Sequence, residues 1–421
     1  MTPHRRSGGL RRGLLAVAVA GHLALAACAG NGAGGSTNSF TLSYGVPGAG
    51  VVVPFKKLAE QYMNDNPGVK ITLNEVPNDT YGQSLTTQLN GGNASDAFQT
   101  APGSGQTFSL LTLATAGHLA PLDDAAAARI PSGSNPLFQH DGRTYGVALG
   151  LTVVSSIFND STARSLGVAY PTEWGALLSA CAALAKKDKS FYTVAGAVPA
   201  NTGLMAVSLS ATRVYAQEPD WNQKRAVRST TFAGSQGWRD TLQAIVAMKD
   251  AGCFQKGAAG AGLDAIGQRT AQGASLAAFA PSSTAMDLKQ AAKDATFLIQ
   301  PVPAAPGGKA FALAGAIHAL SINKNAKNGE AARKFADWVA SDAGQKLYAE
   351  ASGSLLPGTD LSGTAFAPVA DLVAKKDMVP LPNTQWPNPQ VFAALGTGVQ
   401  GLLTGQRTPA DVLSAMDTAW G

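Results

Sequence analysis

Residues 40–90 read FTLSYGVPGAGVVVPFKKLAEQYMNDNPGVKITLNEVPNDTYGQSLTTQLN, and the alternation of two patterns within them decides the fold class. Phe40 to Val46 and Val69 to Val76 have the β-branched, aromatic or alternating character of short strands. Val51 to Asn64 and Asn78 to Asn90 instead place apolar residues at helical spacing. Such a βαβα order predicts an α/β fold with a mainly parallel sheet, helices on both of its faces, and a ligand site beyond the carboxyl ends of the strands.

The helical periodicity returns further along the chain, at 170–186, 237–251 and 329–351. No internal repeat of about 20–50 residues is evident in the sequence. The chain has 421 residues, more than one hydrophobic core usually supports, so two lobes are expected.

The first 27 residues have the features of an export signal. Four arginines precede an apolar stretch that is shorter than the roughly 20 residues of a membrane-spanning helix and that ends in small residues. Leu25-Ala26-Ala27-Cys28 resembles the bacterial lipobox. The resemblance implies that residues 1–27 are removed and that a lipid on Cys28 anchors the protein to the extracytoplasmic face of the cell membrane. An ordinary signal peptide with an incidental cysteine is the alternative.

Residues 28–39 consist almost wholly of Gly, Ala, Ser, Asn and Thr, a composition that cannot bury a core and predicts a flexible tether. The whole chain has 32 Lys plus Arg against 27 Asp plus Glu, but four of the arginines lie in the predicted signal peptide. The remaining charge is therefore nearly balanced. A nucleic-acid partner, which requires a clustered basic surface, is not expected.

Several short motifs follow one another in a recognisable order. They are Asn66-Pro67-Gly68-Val69-Lys70-Ile71, Ser95-Asp96-Ala97-Phe98, Ala116 to Asp123, Asp141 to Val147, Phe158-Asn159 with Gly167, Pro171 and Trp174, Ala316 to Asn325 with Glu330-Ala331-Ala332, and Ser341 to Gln345. In this order the chain resembles the family 1 extracellular solute-binding proteins. These are mostly sugar-specific lipoproteins and periplasmic proteins of ABC importers, and they include the maltose-binding type.

The resemblance implies a two-lobed, periplasmic-binding-protein-like α/β fold of class II, whose lobes close about a hinge over a ligand. By the family's layout, lobe one holds residues 37–148 and 312–366, and lobe two holds residues 149–311 and 367–421. The expected ligand is a mono- or oligosaccharide, and the expected partner is an ABC permease in the membrane. No catalytic residue, metal or other cofactor is expected.

Sugar receptors stack aromatic rings on the C–H faces of pyranoses and pair the hydroxyls with polar side chains. The positions that match the family's pocket segments are Tyr44, Asn78, Asp79, Tyr81, Gln99, Thr152, Asn201, Ser282 and Trp386. Trp386 lies in a loop rich in Pro and Asn, which favours a stacking platform over a core position. Asp96 either contacts ligand or hydrogen-bonds the start of a neighbouring helix.

The segment Phe279 to Ser283 stands where many relatives have a Gly-Ser-Trp or Gly-Pro-Trp sequence, which indicates a smaller or more polar ligand. None of the matched positions is Lys or Arg, so a neutral carbohydrate is favoured over an anion. A receptor for another small solute, such as a polyol, a sugar phosphate or an amino acid, is the alternative.

A secreted carbohydrate-active enzyme is the rival class of function. The sequence lacks a Gly-x-Ser-x-Gly elbow, a P-loop, a His-Glu-x-x-His motif and a Cys-x-x-Cys pair. After the predicted signal peptide the only histidines are His118, His140 and His318, which are widely separated. A carboxylate pair for glycoside hydrolysis is left open by the sequence.

Two further cysteines, Cys181 and Cys253, lie in or at the end of predicted helices of the second lobe. Export to oxidising surroundings allows them to form a disulfide. Two separate buried thiols are the alternative.

Overall fold

The computed structural model describes residues 38–46, 52–131, 133–356 and 358–421, and all side chains there except that of Asp79. The predicted signal peptide, Cys28 and nearly all of the tether lie outside the described residues. Among the described helices, none combines the length and the apolar character needed to cross a bilayer.

Strands and helices alternate through most of the described chain. The strands are β1 (Ser39–Val46), β2 (Lys70–Pro77), β3 (Ala97–Thr100), β4 (Leu119–Ala120), β5 (Gln139–His140), β6 (Arg143–Thr144), β7 (Val147–Leu149), β8 (Thr152–Asn159), β9 (Ser190–Thr193), β10 (Ser275–Pro281), β11 (Phe297–Gln300), β12 (Ala312–Gly315), β13 (His318–Asn323) and β14 (Met378–Val379).

The helices are α1 (Pro54–Asp65), α2 (Asn78–Asn90), α3 (Leu110–Thr115), α4 (Asp124–Ala127), α5 (Asn135–Phe138), α6 (Asp160–Ser165), α7 (Trp174–Ala185), α8 (Pro199–Ser210), α9 (Trp221–Ala226), α10 (Gln236–Asp250), α11 (Asp264–Ala271), α12 (Thr284–Ala291), α13 (Gly329–Ala340), α14 (Asp342–Ser352), α15 (Ala370–Ala374), α16 (Pro389–Thr404) and α17 (Pro409–Trp420). A π-helical segment, Ala211–Tyr215, continues α8, and single 3₁₀ turns occupy Ala258–Gly260, Ala367–Val369 and Pro382–Gln385.

The first sheet has the strand order β2-β1-β3-β13-β4, with β7 also paired to β13. The predicted order of residues 40–90 is confirmed, because β1, α1, β2 and α2 follow one another and β1 pairs parallel to β2 with Phe40 beside Ile71. One buried cluster joins this sheet to α1, α13 and α14, and another joins it to α2 and α3. The sheet and these helices form the first lobe.

The second sheet has the order β14-β12-β8-β10-β9, with β11 also paired to β8. Its largest buried cluster draws side chains from α7, α8, α10, α16 and α17. Every residue of β8 is buried, as expected of a strand covered on both faces. This sheet and its helices form the second lobe.

Each sheet is mainly parallel, as expected, because five of its six described strands run in the same direction and a single strand is opposed to them. In the first sheet β13 runs antiparallel to β3, β4 and β7. In the second, β8 runs antiparallel to β10, β11 and β12. β8 and β13 are the strands that the chain enters as it crosses between the lobes, and sequence periodicity carries no signal for their direction.

Three crossings of the described chain join the lobes. The chain passes from β7 to β8, from β12 to β13, and from α14 to Leu355, where Leu151 and Leu355 exchange main-chain hydrogen bonds of 3.0 and 2.7 Å. Gly150, at a φ of 52°, supplies the left-handed backbone that the first crossing requires. These crossings form the hinge.

The predicted lobe boundaries remain a proposal, with an adjustment at residues 312–366. β12 pairs with β8 in the second sheet, so the crossing follows Gly315. Leu355 and Leu361 also pack in a cluster of the second lobe.

The helix expected over 329–351 is divided into α13 and α14. Ser341 leaves helical geometry with a ψ of 164°, and its Oγ accepts a hydrogen bond from the main-chain nitrogen of Gly344 over 3.3 Å. A serine that caps a new helix in this way ends the preceding helix, although the helical spacing of apolar residues continues past it. In the second lobe, a disulfide joins Cys181 of α7 to Cys253, which follows α10.

Candidate ligand-binding cleft

A cavity of about 340 Å³ lies between the lobes. From the first lobe it is lined by Gly45, Val52, Val53, Pro54, Phe55, Asn78, Tyr81, Gln99, Gln106, Phe108, His318, Tyr348, Ala351 and Ser352. From the second lobe come Thr152, Ser283, Met286 and Asp287, and Ile317 lines it from the hinge. Gly45 and Gln99 lie near the carboxyl ends of β1 and β3, where ligands of such sheets are expected. We call this cavity the cleft.

Four of the sequence-predicted site residues line the cleft: Asn78, Tyr81, Gln99 and Thr152. Tyr81 presents its ring, since its buried hydroxyl donates to the main-chain oxygen of Gln99 over 2.7 Å. The side-chain Oε1 of Gln99 accepts from the main-chain nitrogen of Gly45 over 3.0 Å, which fixes the amide and leaves its NH₂ group as a donor. The Thr152 hydroxyl lies 3.4 Å from that of Ser354, beside the hinge.

Three other predicted residues have structural contacts away from the cleft. Tyr44 is fully buried in β1 and its hydroxyl donates to Glu75 over 3.0 Å. Asn201 donates to the oxygen of Phe279 over 3.1 Å and accepts from the nitrogen of Ala195 over 2.9 Å. Ser282 donates to the oxygen of Gly353 over 3.0 Å, one residue before the cleft-lining Ser283. The side chain of Asp79 lies outside the described atoms.

The structure does not support the stacking platform expected at Trp386. Its ring is 0% exposed and packs against Phe232 and Trp238 in the second-lobe core, at centroid distances of 5.6 and 6.0 Å. Its indole nitrogen donates to Asn222 over 3.3 Å. Trp386 does not line the cleft. Its loop is rich in Pro and Asn, but residues distant in sequence cover the ring and bury it in the core.

Asp96 adopts the helix-binding alternative. Its carboxylate accepts from the main-chain nitrogen of Asn328, directly before α13, over 2.9 Å. It also accepts from the nitrogen and the hydroxyl of Thr41, each over 2.9 Å.

Phe108 is an aromatic ring of the cleft that the sequence did not predict. It is half-buried and lines the cleft from the loop between β3 and α3, where its ring meets that of Tyr81 edge-on at 5.3 Å. The one signal in the sequence is its position in a Gly- and Ser-rich loop that follows the Ser95-Asp96-Ala97-Phe98 motif.

The described lining of the cleft combines one acid with a neutral histidine. The Nδ1 atom of His318 shares a hydrogen bond of 3.0 Å with the Tyr348 hydroxyl. Burial lowers the pKa of His318 to about 4, so its ring is neutral at pH 7. Burial raises the pKa of the Asp287 carboxyl to about 6. Among the described lining residues there is no Lys or Arg. At neutral pH the described part of the cleft therefore carries one carboxylate and no cation.

The described residues contain no group of three or more His, Cys, Asp or Glu side chains arranged to hold a metal ion. The cleft groups instead offer rings, amides, hydroxyls and a single acid. Such a surface suits an organic solute that carries hydrogen-bond donors.

Several solved structures share this fold. A protein from work on xylan utilization by Caldanaerobius polysaccharolyticus superimposes with a TM-score of 0.75 at 20% identity, covering 90% of this chain and 99% of that chain. The GacH receptor of Streptomyces glaucescens, studied unliganded and with acarbose, gives 0.71 at 18% identity over 91% and 97%. A sugar transporter protein of Bacillus licheniformis, in complex with stachyose, gives 0.70 at 17% identity over 91% and 99%.

No curated protein sequence is significantly similar to the chain. Residues 48–346, more than half of the sequence, match the bacterial extracellular solute-binding protein family. The two lobes, the hinge and the cleft between them are thus those of a solute receptor, and the chain belongs to the bacterial extracellular solute-binding protein family.

Proposed function

We propose that this protein is the lipid-anchored, extracytoplasmic receptor of an ABC importer, which binds a mono- or oligosaccharide in the cleft and delivers it to the permease. The observation that carries the proposal is the composition of the cleft. A half-buried ring, Phe108, lies beside neutral polar groups such as Gln99 and Thr152, with no described Lys or Arg among the lining residues.

This composition suits a carbohydrate for physical reasons. The face of an aromatic ring attracts the C–H face of a pyranose, and amides and hydroxyls exchange hydrogen bonds with sugar hydroxyls. The cleft volume of about 340 Å³ is near the lower end of the roughly 300–1,000 Å³ usual for small-ligand sites. A short saccharide, or the end of a longer one, fits that space.

Lobe closure supplies the signal to the permease. Because the cleft draws groups from both lobes, a ligand in it contacts both and favours the closed state by its extra contacts there. The lipobox at Cys28 would keep the receptor near the permease. The neighbouring structures with acarbose and stachyose support a carbohydrate as the ligand.

Binding without turnover separates this function from a hydrolase. The test is a thermal-shift screen of the mature protein against mono-, di- and oligosaccharides, polyols, sugar phosphates and amino acids, followed by chromatography of each stabilising compound after prolonged incubation. We expect saccharides to raise the unfolding temperature and to be recovered intact. Stabilisation by amino acids or phosphorylated compounds alone would contradict the carbohydrate, and released products would indicate an enzyme.

A further inference from the structure

Asp287 is the acid on the second-lobe wall of the cleft. It lies in the first turn of α12, is half-buried, and lines the cleft beside Met286 and Ser283. No hydrogen bond or salt bridge joins its carboxylate to another described residue. This distinguishes it from Asp96, whose buried carboxylate is held by Thr41 and Asn328.

The described surroundings supply no compensating charge. Lys289, on the same helix, donates to the oxygen of Ala295 over 2.9 Å, outside the cleft. The titratable groups that share the cleft wall are His318, which is neutral, and Tyr348 and Tyr81, whose pKa values are raised by burial. An ionised carboxylate that is partly removed from water without a partner is costly, and a ligand that brings a partner recovers that cost.

The unpaired carboxylate of Asp287 indicates which ligand group would pair with it. An anionic ligand would be repelled, and a neutral sugar could donate hydroxyl hydrogen bonds to the carboxylate. Both a hydroxyl and an ammonium group can donate a charge-assisted hydrogen bond to the carboxylate. Only the ammonium group also neutralises the charge, so it recovers more of the cost of a partly buried, unpaired anion. The unpaired acid therefore favours a positively charged substituent on the solute over a hydroxyl.

We propose that Asp287 makes the cleft selective for amino-substituted carbohydrates, with the ligand's ammonium group paired to the Asp287 carboxylate. This inference rests on the proposed function, since it assigns a subclass of saccharide to the same cleft. It also gives Asp287 a role in selectivity: it separates amino sugars from their neutral and N-acetylated counterparts.

The test is calorimetric titration of the mature protein at pH 7 with matched ligands: glucosamine and glucose, galactosamine and galactose, the β-1,4 disaccharide of glucosamine, its N-acetylated form, and cellobiose. In at least one matched set we expect the amino form to bind about tenfold more tightly than its counterparts. The Asp287→Asn variant should reduce that ratio to within about twofold, because the amide oxygen still accepts a hydrogen bond but no longer carries a charge.

Asp264→Asn is the control, because it removes the same charge from the exposed start of α11, outside the cleft. It should keep the full preference. Equal affinity for amino and neutral forms in every set, no binding of any amino form, or a preference that survives Asp287→Asn would overturn the inference. If neutral saccharides bind in those cases, the proposed function stands; if the wider screen finds no saccharide at all, both fail.

Discussion

The hydroxyl of Ser104 donates a hydrogen bond to the main-chain oxygen of Trp386 over 2.6 Å, and the main-chain nitrogen of Ser104 donates to the oxygen of Thr384 over 2.9 Å. Ser104 lies in the first lobe, between β3 and α3, whereas the Trp386 ring is buried in the second-lobe core. The lobes thus touch away from the hinge. We call the contact of residues 103–105 with 383–386 the latch.

Close backbone approach explains the glycines of the latch. A Cβ on Gly103 would lie 1.8 Å from the oxygen of Thr384, and one on Gly105 would lie 1.8 Å from the oxygen of Asn383. Neither position can take a side chain unless the two segments move apart. The loop that makes the latch continues into the cleft-lining Gln106 and Phe108.

Gly105→Ala should therefore weaken ligand binding by about tenfold or more, because the added methyl separates the lobes and raises the free energy of the closed state. Calorimetry measures the affinity, and small-angle scattering of the ligand-saturated protein measures the lobe separation. Gly175→Ala is the matched control, since no atom lies within 4 Å of its added Cβ. Unchanged affinity and unchanged scattering in the Gly105 variant would show that the latch does not govern closure.

Trp386→Leu should cost about 2–4 kcal/mol of unfolding free energy, because it removes a fully buried ring from the second-lobe core. Where the variant is folded, its affinity for saccharide should change by less than about threefold. Chemical denaturation measures the first effect and calorimetry the second. A large loss of affinity with unchanged stability would instead restore the stacking role expected from the sequence.

The comparison of Trp386 with residues 40–90 indicates what sequence can predict. The order β1, α1, β2, α2 depends on local periodicity, so it was predictable. Asn78 and Tyr81, in the first turn of α2, line the cleft together with Gln99 of β3, and their contact with a ligand stays a prediction. Burial of Trp386 depends on Phe232 and Trp238, more than a hundred residues earlier, so its loop composition was misleading.

The cleft residues missed by sequence reasoning share one property. Phe108 and His318 come from distant segments of the first lobe and Asp287 comes from the second lobe, so only tertiary packing brings them together. Nor does a sequence pattern distinguish the unpaired Asp287 from the satisfied Asp96, since the difference lies in their contacts. The one opposed strand in each sheet, β13 and β8, likewise depends on how the chain crosses between the lobes, and local periodicity carries no signal for it.

Asp287→Asn should stabilise the ligand-free protein by about 1 kcal/mol at pH 7, a figure reduced for solvent screening of a half-exposed group. Burial raises the pKa of the Asp287 carboxyl to about 6 in the folded protein, above the 3.8 of an unperturbed aspartate. Protonated Asp287 therefore contributes favourably to the parent's free energy of unfolding below about pH 4, and this contribution is lost as the pH rises through about 6. Denaturation of the parent, the variant and Asp264→Asn across this range measures the difference.

The extra unfolding free energy of Asp287→Asn over the parent should shrink toward zero near pH 4. The unfolding free energy of Asp264→Asn should follow that of the parent across the whole range. An advantage that does not change with pH would mean that the Asp287 carboxyl ionises without a cost in the folded protein.

Cys28→Ala should release the protein from the membrane, because the lipobox sulfur is the predicted site of diacylglyceryl attachment. Fractionation of expressing cells, with mass spectrometry of the parent's N-terminus, measures both consequences. Ser39→Ala, a change that leaves the motif intact, is the control and should remain anchored. A Cys28→Ala protein that is still recovered with the membrane would contradict lipid anchoring.

Calorimetric titration of Phe108→Leu with the best saccharide from the screen tests carbohydrate capture in the cleft most directly. Loss of the ring face should weaken binding by about 1–2 kcal/mol, while circular dichroism and the unfolding temperature stay close to those of the parent. Phe311→Leu is the matched control, because it removes another half-buried ring that lies outside the cleft. The account predicts a loss of affinity in the Phe108 variant alone, and it is contradicted by a Phe108 variant that binds the saccharide as tightly as the parent.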